Sequence, residues 1–170
     1  MYITRQKITV VIQILLYCLS ANSYASERDN WQLEVAADPF SKKSVCLMIS
    51  ATKTTDDGQT TTPVYLIYNG TAFVARTKSN IDLSYEGSGL RVGLRNTHDI
   101  DRLLKKSSAV FDTQAGIIRD EFIRGIKATL TLGFWPTWPK TSSHKITFDL
   151  RGFTRTYEAF KHCQQTGEIF

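Results

Sequence analysis

The sequence predicts a mainly β domain: an antiparallel β-sandwich with two short helices, one of them C-terminal, stapled by one disulfide. Three observations predict it. The segments are short, rich in Thr, Val, Ile, Phe and Tyr, and alternate with period two between turn signals. Only two stretches carry convincing helical spacing. Once an N-terminal leader is set aside, two cysteines are left, Cys46 and Cys163, near opposite ends of the chain.

Residues 31–36, from Trp31 to Ala36, alternate and open the domain as a half-buried strand, which Asp38-Pro39 ends. Ser44 to Ala51 is almost continuously apolar and suits a central strand covered on both faces. A polar stretch follows from Thr52 to Thr62, with a turn at Asp56-Asp57-Gly58. Pro63 to Tyr68 and Thr71 to Thr77 flank Asn69-Gly70, a dipeptide suited to a type I′ hairpin because both central residues need positive φ. Asn69-Gly70-Thr71 also spells a glycosylation sequon, which the tight turn explains better.

Ile81 to Tyr85 and Leu90 to Leu94 form a second candidate hairpin with residues 86–89 as its loop, and residues 99–111 mix charges with apolar residues ambiguously. Thr113 to Arg124 reads as a helix: Ile118 and Phe122 share a face, Asp120 and Arg124 can pair, Asp112 or Thr113 can cap it, and Gly125 ends it. Ile126 to Leu132 and Lys145 to Leu150 alternate as strands. Between them lies Phe134-Trp135-Pro136-Thr137-Trp138-Pro139. The last helix, Thr154 to Cys163, is capped by Thr154 and carries Cys163 on the side of Ala159 and Phe160.

Residues 1–25 read as a signal peptide. Arg5 and Lys7 give a positive start, Ile8 to Leu19 is an apolar run of about a dozen residues, and Ser23 and Ala25 place small residues before a cut. The run is short of the roughly 20 residues a membrane span requires. Tyr17 stands where a lipoprotein signal ending at Cys18 needs a small residue. The expectation is therefore a single periplasmic or secreted β-rich domain over residues 26–170, with no membrane span after cleavage. Loss of Arg5 and Lys7 lowers the net charge from +5 to +3, too weak a balance to argue for nucleic acid.

In an oxidising compartment, Cys46 on a core-like strand and Cys163 on an apolar helix face read as a structural disulfide. Closing a loop of about 118 residues is worth roughly 5 kcal/mol in the chain-entropy view. No C-x-x-C, H-E-x-x-H, G-x-S-x-G or Gly-rich phosphate cradle is present, and His98, His144 and His162 are not at metal-ligand spacing. No catalytic residue, cofactor or metal is assigned. A hydrolase with a non-local site would need a residue such as Arg91, His98 or His144 beside a carboxylate in a concave pocket.

Binding surfaces are the better prospect. Trp135 and Trp138, stiffened by Pro136 and Pro139, suit a carbohydrate face, a lipid headgroup or a partner groove, against the blander role of covering a sheet end. Arg91 and Arg95 fall on one face of a strand over residues 90–95 and could meet an anion, although a solvated mixed-charge face is the simpler reading.

Residues 146–160 resemble the ending of the invasion associated locus B family of secreted bacterial proteins, through Phe148, Leu150, Arg151, Gly152, Phe153, Tyr157 and Phe160. Trp31 followed by the Cys46 strand is also similar. The resemblance implies a periplasmic or surface-associated β-sandwich linked with host-cell entry or envelope function, without catalytic residues to carry over. The sequence thus points to an exported, non-catalytic module recognising an unknown protein or envelope glycan. An assembly accessory of an envelope or secretion machine is the alternative.

Overall fold

Alternating apolar residues place most of the chain in strands, and every ladder between them is antiparallel. The computed structural model describes residues 30–37, 44–135 and 142–167. In chain order these form β1 (Trp31–Ala37), β2 (Ser44–Ser50), β3 (Lys53–Asp56), β4 (Thr61–Tyr68), β5 (Phe73–Thr77), β6 (Asn80–Asp82) and β7 (Gly89–Val92). There follow β8 (Thr97–His98), β9 (Arg102–Leu104), β10 (Ser108–Phe111), α1 (Ala115–Arg124), β11 (Lys127–Trp135), β12 (His144–Asp149) and α2 (Phe153–Thr166). One sheet runs β1-β2-β4-β5-β10-β9 with β3 also on β4; the other runs β12-β11-β7-β8 with β6 also on β11. The mainly antiparallel β fold with two helices, one C-terminal, is as the sequence predicts.

Period two is visible in the burial. On β4, Thr62, Val64, Leu66 and Tyr68 are buried while Pro63, Tyr65 and Ile67 are half-buried. β2 alternates in the same way, with Cys46, Met48 and Ser50 buried, so its apolar run is not covered equally on both faces. The core is aromatic where the helices meet the sheets. Trp31 lies edge-on to Phe153 at 4.9 Å and to Phe122 at 5.8 Å, and Phe73 is 4.8 Å from Phe122. Tyr68 joins Phe73 to Phe160 of α2 at 4.5 and 5.4 Å. Such pairs add about 0.5–1.5 kcal/mol each beyond the area they bury.

The disulfide is present: Cys46 on β2 is bonded to Cys163 on α2, with Cα atoms 6.1 Å apart and 117 positions of sequence between them. It fastens the terminal helix to the first sheet. Phe160 shares the buried side with Cys163, whereas Ala159 faces out.

Several local expectations are corrected. Asn69-Gly70 lies in a four-residue loop, since Tyr68 pairs with Phe73, and only Gly70 takes positive φ. The Asn69 Oδ1 instead accepts the N–H groups of Thr71 and Ala72, an Asx arrangement that sets the turn. Positive φ falls on Lys105 and Lys106, between β9 and β10 in the ambiguous stretch. The polar segment after residue 52 contains β3, whose Lys53 to Asp56 pair with Val64 to Thr61. β6 and β7 do not pair with each other: both pair with β11, at residues 133–135 and 128–131.

The helix ends also differ. α1 is preceded by Gln114 without a side-chain cap, because Asp112 pairs with Arg102 and the Thr113 hydroxyl donates to Asp101. Asp120 pairs with Arg119 rather than Arg124. α2 starts after Gly152, at φ +91°, and the Thr154 hydroxyl donates to the Ile123 carbonyl instead of capping.

Candidate functional site

Trp135 is the last residue of β11, not part of a free loop. Even-numbered residues of that strand, from Ala128 through Phe134, are buried, so the odd-numbered Trp135 faces outward and is 60% exposed. It borders a groove of about 390 Å³ at the end of the sandwich where the two sheets come together. Ile81, Leu83, Leu103 and Trp135 give its lining an apolar part, and Asn80, Asp82 and Lys106 add polar groups.

The backbone explains this convergence. β6 is laddered to the end of β11, with Asn80 opposite Trp135, and the Ile81 N–H donates to the Lys106 carbonyl at 2.7 Å. One three-residue strand therefore ties the second sheet to the β9–β10 turn of the first. Gly133 admits the Tyr85 ring: a Cβ there would lie 2.0 Å from a ring carbon, so the loop carrying Leu83 and Tyr85 folds closely over β11. Just before Asn80 in the chain, the Ser79 hydroxyl donates at 2.5 Å to the buried Asp57, which also accepts from the N–H groups of Thr60 and Gln59. The Ser79 bond, followed by that of Thr60, holds its carboxyl below the ordinary value of 3.8. Asp82 accepts the Ser84 N–H through Oδ1.

The remaining predicted residues are dispersed. Arg91 is half-buried on β7, opposite Thr129 and Thr97. β7 ends at Val92, so Arg95 stands in the following turn rather than on a shared strand face with Arg91. It lies toward the start of β11, the opposite end from Trp135. Trp138, Pro136 and Pro139 lie outside the described residues, as does the leader.

A second feature involves His98, which the sequence offers as a candidate without its partners Gln114 and Glu121. His98 is 5% exposed and lies beside a cavity of about 580 Å³ whose lining includes Arg95, Thr97, Gln114 and Glu121. Its Nε2 is 2.9 Å from Glu121 Oε2 and its Nδ1 is 2.5 Å from Gln114 Oε1. This is a histidine beside a carboxylate in a concave place. Both ring nitrogens, however, are occupied by side chains of α1 and its N-cap, an arrangement that ties β8 to that helix. Thr97 carries the one side-chain hydroxyl in the lining. Nothing in the spacing of residues 98, 114 and 121 marks this triplet, because its members come from a short strand and a helix that meet only in the fold. Among the described residues no three His, Cys, Asp or Glu side chains group as a metal site.

The fold and site thus define a disulfide-closed two-sheet domain with an aromatic-edged groove at one end. Among the described residues no helix is long and apolar enough to cross a membrane. Compared with models of known families, with curated proteins and with solved structures, the chain matches none.

Proposed function

We propose that this is an exported, non-catalytic recognition module that binds an envelope glycan at the Trp135 groove. The carrying observation is the exposed indole of Trp135 beside Asn80, Asp82 and Lys106. A sugar ring stacks its C–H face on an indole while its hydroxyls bond to amide, carboxylate and ammonium groups at the edge, and this groove offers that combination. The hydrophobic leader and the Cys46–Cys163 bridge support export to an oxidising compartment. The resemblance of residues 146–160 to the invasion associated locus B family supports an envelope or host-surface setting.

Calorimetric titration with soluble peptidoglycan fragments and with lipopolysaccharide core oligosaccharides tests the reading. Trp135→Ala should weaken binding by about tenfold or more, the loss of about 1.4 kcal/mol or more, with unchanged circular dichroism. Absence of binding by the wild type, or full binding by the variant, overturns it.

The hydrolase reading has one observation in its favour, the His98–Glu121 pair beside a cavity. Chromatography of the same glycans after prolonged incubation separates the two. Cleavage products lost on His98→Asn would replace recognition with catalysis.

A further inference from the structure

We propose a second surface, at the opposite end of β11 from Trp135, that seats the protein peripherally on an anionic phospholipid bilayer. Leu94 is 100% exposed and Ile126 is 70% exposed. Both belong to one shallow surface whose lining also contains Arg95, Arg124 and Lys127 and no carboxylate. Folding accounts for their proximity but not for their identity. The Gly93 N–H donates to the Lys127 carbonyl at 3.0 Å, drawing the β7–β8 turn against the start of β11. Gly93 takes φ +56°, which turns the chain so that Leu94 stands at the tip. Neither Leu94 nor Ile126 contributes to the core.

The charge pattern selects the occupant. Arg95 and Arg124 are exposed and have no carboxylate within ion-pair distance among the described residues, while Lys127 faces Asp149 only through a longer-range attraction. The nearby carboxylates are engaged elsewhere: Glu121 by His98 and Asp149 by Arg151. Two apolar side chains protruding between three cations match the layering of a membrane surface. Leu and Ile enter the acyl boundary, and the long basic side chains stay at the phosphates. A protein groove would need these tips to find a matching cavity, whereas a fluid bilayer accepts a protruding leucine without one.

The placement has a directional result. β11 spans Lys127 to Trp135, roughly 26 Å at strand rise. A molecule seated through Leu94 and Ile126 holds the Trp135 groove away from the lipid.

Sedimentation with vesicles of phosphatidylcholine alone and with phosphatidylglycerol added is the test. The wild type should pellet with the anionic vesicles, weakly with the neutral ones, and less as salt rises. Leu94→Ser combined with Ile126→Ser, and separately Arg95→Glu combined with Arg124→Glu, should each lower the apparent affinity by about tenfold or more. All four positions are exposed, so thermal melts should match the wild type, and the salt series reads the same surface without any substitution. No binding to anionic vesicles, or binding unaffected by salt and by both double variants, overturns the proposal. So does concentration-dependent dimerisation lost on Leu94→Ser and Ile126→Ser, or capture of an acidic protein through this surface, without lipid binding.

Discussion

The indole N–H of Trp31 donates to the carbonyl of Asp149 at 3.0 Å, joining the first strand to the end of the last across 118 positions of sequence. The Thr156 hydroxyl donates back to the Trp31 carbonyl from α2. Trp31, through its indole and its backbone carbonyl, thereby links both sheets and the terminal helix, with its ring against Phe122 and Phe153.

Trp31→Ala is expected to destabilise the fold by about 3–5 kcal/mol through the cavity it leaves. Trp31→Phe keeps an aromatic ring and loses the indole donor as well as some volume, and should cost less, with about 1 kcal/mol from the hydrogen bond. Urea denaturation of the two variants reads the difference. Equal losses would show that ring packing at this position contributes nothing beyond the bond to Asp149.

Replacing Cys46 and Cys163 together with Ala should lower stability by about 4–5 kcal/mol, with a drop in Tm on the order of 10–20 °C. Differential scanning calorimetry with and without reductant checks this. The wild type under reducing conditions should approach the double variant. If the unreduced, unfolded wild type reacts with an alkylating agent at these cysteines, the bridge is absent.

Gly133→Ala sets a methyl against the Tyr85 ring and should cost about 1–3 kcal/mol, while loosening the loop that carries Leu83. A double-mutant cycle with Tyr85→Ala isolates the contact: the pair together should lose less than the sum of the singles. Strict additivity would remove Tyr85 as the cause.

Acid should destabilise the protein through three carboxylates held below their ordinary value: Asp57 by Ser79, Asp149 by Arg151, and Asp101, where bonds from Thr113 and Asp112 outweigh burial. With folded pKa values below the unfolded 3.8, their stabilisation is complete above that pH and is lost as the pH falls through the folded values. Unfolding free energy should therefore fall steadily below about pH 4, and Asp57→Asn should flatten that slope. An unchanged slope would assign acid sensitivity to other groups.

Strand positions were legible in the sequence wherever one face meets the core, because burial imposes period two on β4, β11 and β12. Register and partner were not. Residues 81–85 and 90–94 alternate as a hairpin would, yet long-range ladders to β11 prevail over the local pairing. Turn chemistry misled at Asn69-Gly70, where the Tyr68–Phe73 pair and the Asn69 side chain favour a longer loop, and positive φ went to two lysines without any sequence cue. Trp135 could be recognised as a surface residue, but its groove depends on Ile81, Leu83 and Leu103, which only β6 and the β9–β10 turn bring beside it. The Leu94 and Ile126 tips were hidden for the opposite reason: in sequence they look like ordinary strand residues.

The Cys46–Cys163 bond also makes most of the described chain a closed covalent ring. A single proteolytic cut anywhere between those residues opens the ring without producing two molecules. In a protease-rich surrounding, a nicked copy would keep α2 and both sheets joined, run as one species on a non-reducing gel and divide only on reduction. The bond thus confers tolerance of damage: the loops between strands can be clipped, and the two pieces remain one molecule.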